Sequence, residues 1–127
     1  MKILGIGVDI IQNKRIKTAI KNDLFIKRTF SKKEINYSKK KLNKTNFFAK
    51  RFAAKEAFAK AIGTGISKNL NFKDIEILND RNGKPFYYQS KKIKMIINRR
   101  FKIKNFKLFL SISDEKDYSI AFTTIQI

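Results

Sequence analysis

The chain has no cysteine, no histidine and no tryptophan, and only one proline and five glycines in 127 residues. Without cysteine there is neither a disulfide nor a thiol nucleophile. Without histidine there is no imidazole base, no Ser-His-Asp arrangement and no zinc site of the Cys/His kind. Chemistry is left to carboxylates, amines, guanidinium groups, hydroxyls and hard cations. Carboxylates are themselves scarce, 10 against 30 lysines and arginines, which leaves a net charge of +20. Such a field draws nucleic acid, acidic lipid headgroups, phosphorylated ligands or an acidic protein. Much of it, the run Lys39-Lys40-Lys41 included, also reads as solvated surface. Long apolar runs are lacking as well. The segment 3–11 is short, contains Asp9 and is followed by no small-residue cleavage pattern. No run approaches the ~20 residues of a membrane span, so the sequence reads as a cytoplasmic protein with no membrane partner.

What is present suffices for one core. With 43% hydrophobic residues and 12 Phe, a chain of this size buries roughly two-thirds of its unfolded surface, so a single domain over 1–127 is expected. Residues 2–11 form a β-branched run that reads as a strand, with Ile3, Gly5, Gly7 and Asp9 on one face and Leu4, Ile6, Val8 and Ile10 on the other. The expectation is that the apolar face packs and the glycine face stays clear around the carboxylate. Residues 13–21 read as a helix whose exposed side carries Lys14, Arg15, Lys17 and Lys21. Ser31 with Glu34 is a capping-box pattern that starts a helix running to about residue 40. The strongest helix covers 46–62 and stops at Gly63-Thr64-Gly65. Strands are expected at 74–79 and 86–89 around an Asn82-Gly83 turn, a helix at 90–100, and strands at 106–113 and 118–126 around a turn at 114–117. Together these give an α+β fold, a mainly antiparallel sheet packed on one long central helix.

Acids set inside apolar elements carry the most information, because an unpaired charge in a core costs several kcal/mol. Asp9 and Glu56 are read as such. Glu56 and Lys60 share a helix face with Ala49, Ala53 and Ala57. An i,i+4 surface ion pair is the ordinary reading of Glu56 and Lys60, and a helix cap that of Asp9 and of Gly63-Thr64-Gly65. Joined to a glycine-faced strand and an alanine-faced helix, the two carboxylates read better as ligands of a hard divalent cation, of which magnesium fits a two-carboxylate set.

GIGVDI at 5–10 with Arg15-Ile16 behind it, Phe30-Ser31-x-x-Glu34, RFAAKEAFAKAIGTG at 51–65, Asn82-x-Lys84-Pro85 and the closing SISDEKDYSIAF together resemble holo-acyl-carrier-protein synthase, the small type of phosphopantetheinyl transferase. The resemblance implies magnesium-dependent transfer of phosphopantetheine from coenzyme A to a serine of an acidic acyl carrier protein. It implies that Asp9 and Glu56 hold the metal, that Lys60 contacts the diphosphate, and that Arg51 and the Gly63-Thr64-Gly65 segment contact coenzyme A. Lys14, Arg15, Lys17 and Lys21 would receive the carrier, and three subunits would assemble with sites at their interfaces. Many members carry a histidine where Asp114 stands, which leaves Asp114, Glu56 and a metal-held water as candidates for the serine proton. The competing reading is a basic nucleic-acid-binding domain, which rests on the charge and on 12 Phe and 4 Tyr. Against it, the Phe residues follow core spacing.

Overall fold

A computed structural model describes residues 1–127. The order is β1 (Ile3–Gln12), α1 (Asn13–Ala19), α2 (Asp23–Thr29), α3 (Lys32–Ser38), α4 (Lys44–Ile62), a 3₁₀ turn (Phe72–Asp74), β2 (Ile77–Asn79), β3 (Pro85–Tyr87), α5 (Lys91–Phe101), β4 (Lys107–Asp114) and β5 (Tyr118–Gln126). An antiparallel sheet of order β1-β5-β4 packs against α4, and β2 and β3 form a separate two-stranded ladder. No helix is long and apolar enough to cross a membrane.

Helix α4 begins where the Asn43 side chain accepts the Asn46 N–H. It ends where Gly63, at φ 94°, turns the chain left-handed and the amides of Gly63 and Gly65 both reach the Ala59 carbonyl. Between these stops the helix is buried on nearly every side, with Ala49, Ala53, Ala54, Ala57, Phe58 and Ala59 at zero exposure. The capping box is formed: Ser31 accepts from the Glu34 amide and Glu34 accepts from the Ser31 amide.

The faces of β1 are the reverse of the sequence expectation. Gly5 and Gly7 pair with Ile125 and Thr123 of β5, and that face lies directly on α4, backbone against backbone. A Cβ on Gly7 would fall on the Ala57 carbonyl oxygen and 2.8 Å from the Ala61 nitrogen. The glycines and alanines therefore close the gap between strand and helix and leave no room for a ligand. The apolar side is the bare one, with Ile6, Val8 and Ile10 at 55%, 49% and 62% exposure beside Phe109, Ile120 and Phe122.

Three further differences have local causes. The first helix ends at Ala19, so Lys21 lies in the following turn, and α2 fills a segment to which the sequence reading assigns nothing, capped by Asn22. The strand expected at 74–79 begins only at Ile77: Asp74 closes a 3₁₀ turn from Phe72, and the Lys55 ammonium takes the carbonyls of Phe72 and Ile75 from inside the core. The second short strand stops at Tyr87, since Ser90 accepts the Ile93 N–H and starts α5.

Candidate functional site

Asp9 stands on β1 and Lys60 in the last turn of α4. The Lys60 ammonium donates to Asp9 Oδ1 at 3.1 Å and to the Val8 carbonyl at 3.0 Å. Their side chains are 15% and 52% exposed, so the pair sits at a rim. Glu56, one turn before Lys60, accepts no hydrogen bond from a side chain or amide of the chain. Burial pushes its carboxyl above the usual glutamate range, Asp9 pushes it the same way, and Lys60 partly opposes both. A half-buried carboxylate that has no donor of its own and a second acid nearby offers a ligand to a cation. No cluster of three or more acidic, histidine or cysteine ligands exists anywhere in the chain. Two carboxylates with the remaining positions open suit magnesium, which retains waters and takes phosphate oxygens.

Arg51 lies elsewhere. One and a half turns before Glu56 on α4, it is 4% exposed, with its guanidinium 4.0 Å over the Phe47 ring and one Nη 3.4 Å from Asn79 Oδ1. Its Nε is buried without a hydrogen-bond partner, 3.9 Å from Glu34. Arg51 lines a cavity of about 470 Å³ with Lys41, Asn46, Lys50, Asn79 and Asp114, and none of Asp9, Glu56 or Lys60 reaches it. The structure thus brings Asp9, Glu56 and Lys60 together and sets Arg51 and Asp114 apart in a second site of the same chain.

Gly63 and Gly65 have their amides committed to Ala59, and the Thr64 hydroxyl turns to the Gly65 carbonyl. Lys14, Arg15 and Lys17 are exposed on α1. Lys14, Lys17 and Lys21 line a shallow depression with Lys116.

Sequence reasoning missed the most enclosed charges. Glu34 and Lys55 are both at zero exposure and bonded at 2.8 Å. Glu34 Oε2 also accepts the Ile77 amide at 3.2 Å. One carboxylate therefore ties α3, α4 and β2 together. The signal was Lys55, four residues after Arg51 on a side of the helix otherwise built from Phe48, Phe52, Phe58, Ala59 and Ile62. A cation there demands an acid, but spacing alone does not say which of ten.

Among proteins of known family, residues 5–123 match the model described as ACPS, the 4′-phosphopantetheinyl transferase superfamily. A holo-[acyl-carrier-protein] synthase of Pelagibacter ubique is 60% identical over 126 residues, 99% of this chain and 98% of that protein. The crystal structure of the synthase from Neisseria meningitidis matches with a TM-score of 0.88 at 37% identity, covering 99% of this chain and 100% of that one. The synthase from Bacillus anthracis, described in complex with CoA (3′,5′-ADP), matches at 0.80 and 39% identity over 98% and 96%.

Proposed function

The chain belongs to the 4′-phosphopantetheinyl transferase superfamily, and we propose that it acts as its closely similar relatives are named, as a holo-acyl-carrier-protein synthase. It transfers phosphopantetheine from coenzyme A to a serine of apo acyl carrier protein. The serine oxygen forms a bond to the phosphorus next to pantetheine, the diphosphate bridge breaks, adenosine 3′,5′-bisphosphate leaves, and the hydroxyl proton is released. The observation that carries this reading is the grouping of Asp9, Glu56 and Lys60 at one rim. Mass spectrometry of apo carrier protein incubated with coenzyme A and magnesium tests it through the adduct, and its absence defeats the reading.

Asp9 and Glu56 are the residues that would hold magnesium. When bound, the ion offsets charge that builds on the diphosphate as its bridge breaks. Lys60, half in solvent, holds Asp9 in place and presents its remaining donor capacity to a phosphoryl oxygen. Asp9→Asn or Glu56→Gln lowers turnover by at least about 100-fold with the circular dichroism spectrum unchanged, as expected when a main electrostatic element is lost. Near-normal magnesium-dependent turnover in either variant removes the assignment.

Arg51 and its cavity take the nucleotide end of coenzyme A. The separation of this cavity from the metal rim within one chain, and the bare apolar face of β1, β4 and β5, support the assembly of three copies in which one subunit's rim meets another's cavity.

Carrier docking belongs to α1 and the turn after it, where Lys14, Arg15, Lys17 and Lys21 face solvent. Arg15→Glu raises the KM for carrier protein several-fold and leaves that for coenzyme A unchanged, and added salt weakens wild-type docking. Indifference to both salt and Arg15 moves the docking surface elsewhere. The nucleic-acid reading finds no support, since the relatives and the solved structures that match along nearly the whole chain are holo-acyl-carrier-protein synthases.

A further inference from the structure

The cavity that holds Arg51 contains three cations, Lys41, Lys50 and Arg51, and a single carboxylate, Asp114 at the end of β4. Asp114 is 31% exposed. Its Oδ2 is fixed by the Asn46 side-chain amide at 2.9 Å, and Asn46 is itself held in the first turn of α4 by the Asn43 cap. Its Oδ1 accepts no hydrogen bond, and the nearest cation, Lys50, stands 4.0 Å away. The carboxylate is thus anchored on one oxygen and open on the other. A phosphate entering this cavity has three cations to choose and every reason to avoid Asp114. An open carboxylate oxygen instead calls for a donor, and a nucleotide offers two kinds, a ribose hydroxyl and the exocyclic amine of adenine.

We propose that Asp114 is a specificity-determining acceptor that takes a hydrogen bond from the nucleotide of coenzyme A, while Arg51 and the lysines take its phosphates. The proposal rests on the reading of this cavity as the nucleotide site.

Calorimetric titration of the full-length protein with adenosine 3′,5′-bisphosphate, its 2′-deoxy form and inosine 3′,5′-bisphosphate tests this. Wild type binds one analogue about 10-fold more weakly than the parent, the worth of a hydrogen bond to a charged acceptor. The 2′-deoxy form identifies the ribose hydroxyl and the inosine form the amine. Asp114→Ala binds the parent as weakly as wild type binds that analogue, and no longer distinguishes the two. Asp114→Asn, which keeps an acceptor oxygen without the charge, retains part of the discrimination. Equal binding of all three nucleotides by wild type, or an analogue penalty that survives in Asp114→Ala, overturns the proposal. So does tighter binding of the parent by Asp114→Ala, which means that a phosphate lies against the carboxylate. Arg51→Ala serves as the control. If it weakens the parent while Asp114→Ala leaves the pattern untouched, this proposal alone fails. If Arg51→Ala binds normally, the reading of the cavity fails and the proposal with it.

Discussion

Glu34→Gln lowers the stability of the fold by about 3–5 kcal/mol, a fall in melting temperature of about 12–20 °C for a chain of this length. The substitution keeps size and shape but leaves the Lys55 ammonium, at zero exposure, with carbonyl oxygens alone, and leaves the neighbouring Arg51 without its anion. An uncompensated charge in a core, not the loss of one bond, sets the magnitude. Removing the Lys55 charge as well, in Glu34→Gln with Lys55→Met, recovers part of the loss, the remainder belonging to Arg51, which stays without its anion. The pH dependence has a definite sign. Burial pushes the Lys55 amine below the ordinary 10.5 of lysine, and Glu34 opposes that push. Without Glu34 the folded amine binds its proton still less firmly, so the unfolded chain carries more protons as pH rises from the folded value towards 10.5. Stability of the variant therefore climbs with pH across that window, and the full penalty is present below it. Thermal melts between neutral and alkaline pH check both statements, and a melting point within about 2 °C of wild type defeats them.

Gly7→Ala has the second large effect. The added methyl meets the backbone of α4 at Ala57 and Ala61, which cannot rotate aside as a side chain would, so the helix must leave the strand. Overpacking of this kind costs about 1–3 kcal/mol or more. The same displacement separates Lys60 on α4 from Asp9 on β1, now 3.1 Å apart, so turnover falls more steeply than stability. Gly65→Ala is the contrast. Its φ of 69° strains any larger residue, but nothing lies within 4 Å of the new methyl, and the cost is about 1 kcal/mol. Equal effects from the two substitutions, measured by chemical denaturation and turnover together, rule out close packing as the reason for Gly7.

Gly5 and Gly7 also mark where sequence reasoning reversed. Alternation assigns Gly5, Gly7 and Asp9 to one face of β1 correctly, but which face is covered depends on what arrives from far along the chain. Here the arrival is a helix whose alanines fit only against glycines. The capping box at Ser31, the stop at Gly63 and the turn at Asn82-Gly83 were legible because each is settled within a few residues. The grouping of Asp9 with Glu56 and Lys60 was legible from the acids and the i,i+4 spacing on α4, although the small residues read as space for a ligand pack strand on helix instead. Glu34 was legible only as a cap. Its second task, holding Lys55 and the Ile77 amide, joins residues 21 and 43 positions away, and no local pattern carries that. The separation of Arg51 from Glu56 was visible in the helix projection, whereas the company it keeps, Asn79 and Asp114, comes from other strands.

Lys55 gives the chain an unusual chemical property. Every other lysine has solvent at its side chain, and this one has none. An amine-directed acylating reagent therefore meets two populations, a large one that reacts on contact and a single site that reacts only when α3, α4 and β2 part. The surface lysines can lose their charges while the hub stays intact, so the protein's long-range attraction for acidic partners and its internal cohesion are separable by covalent modification.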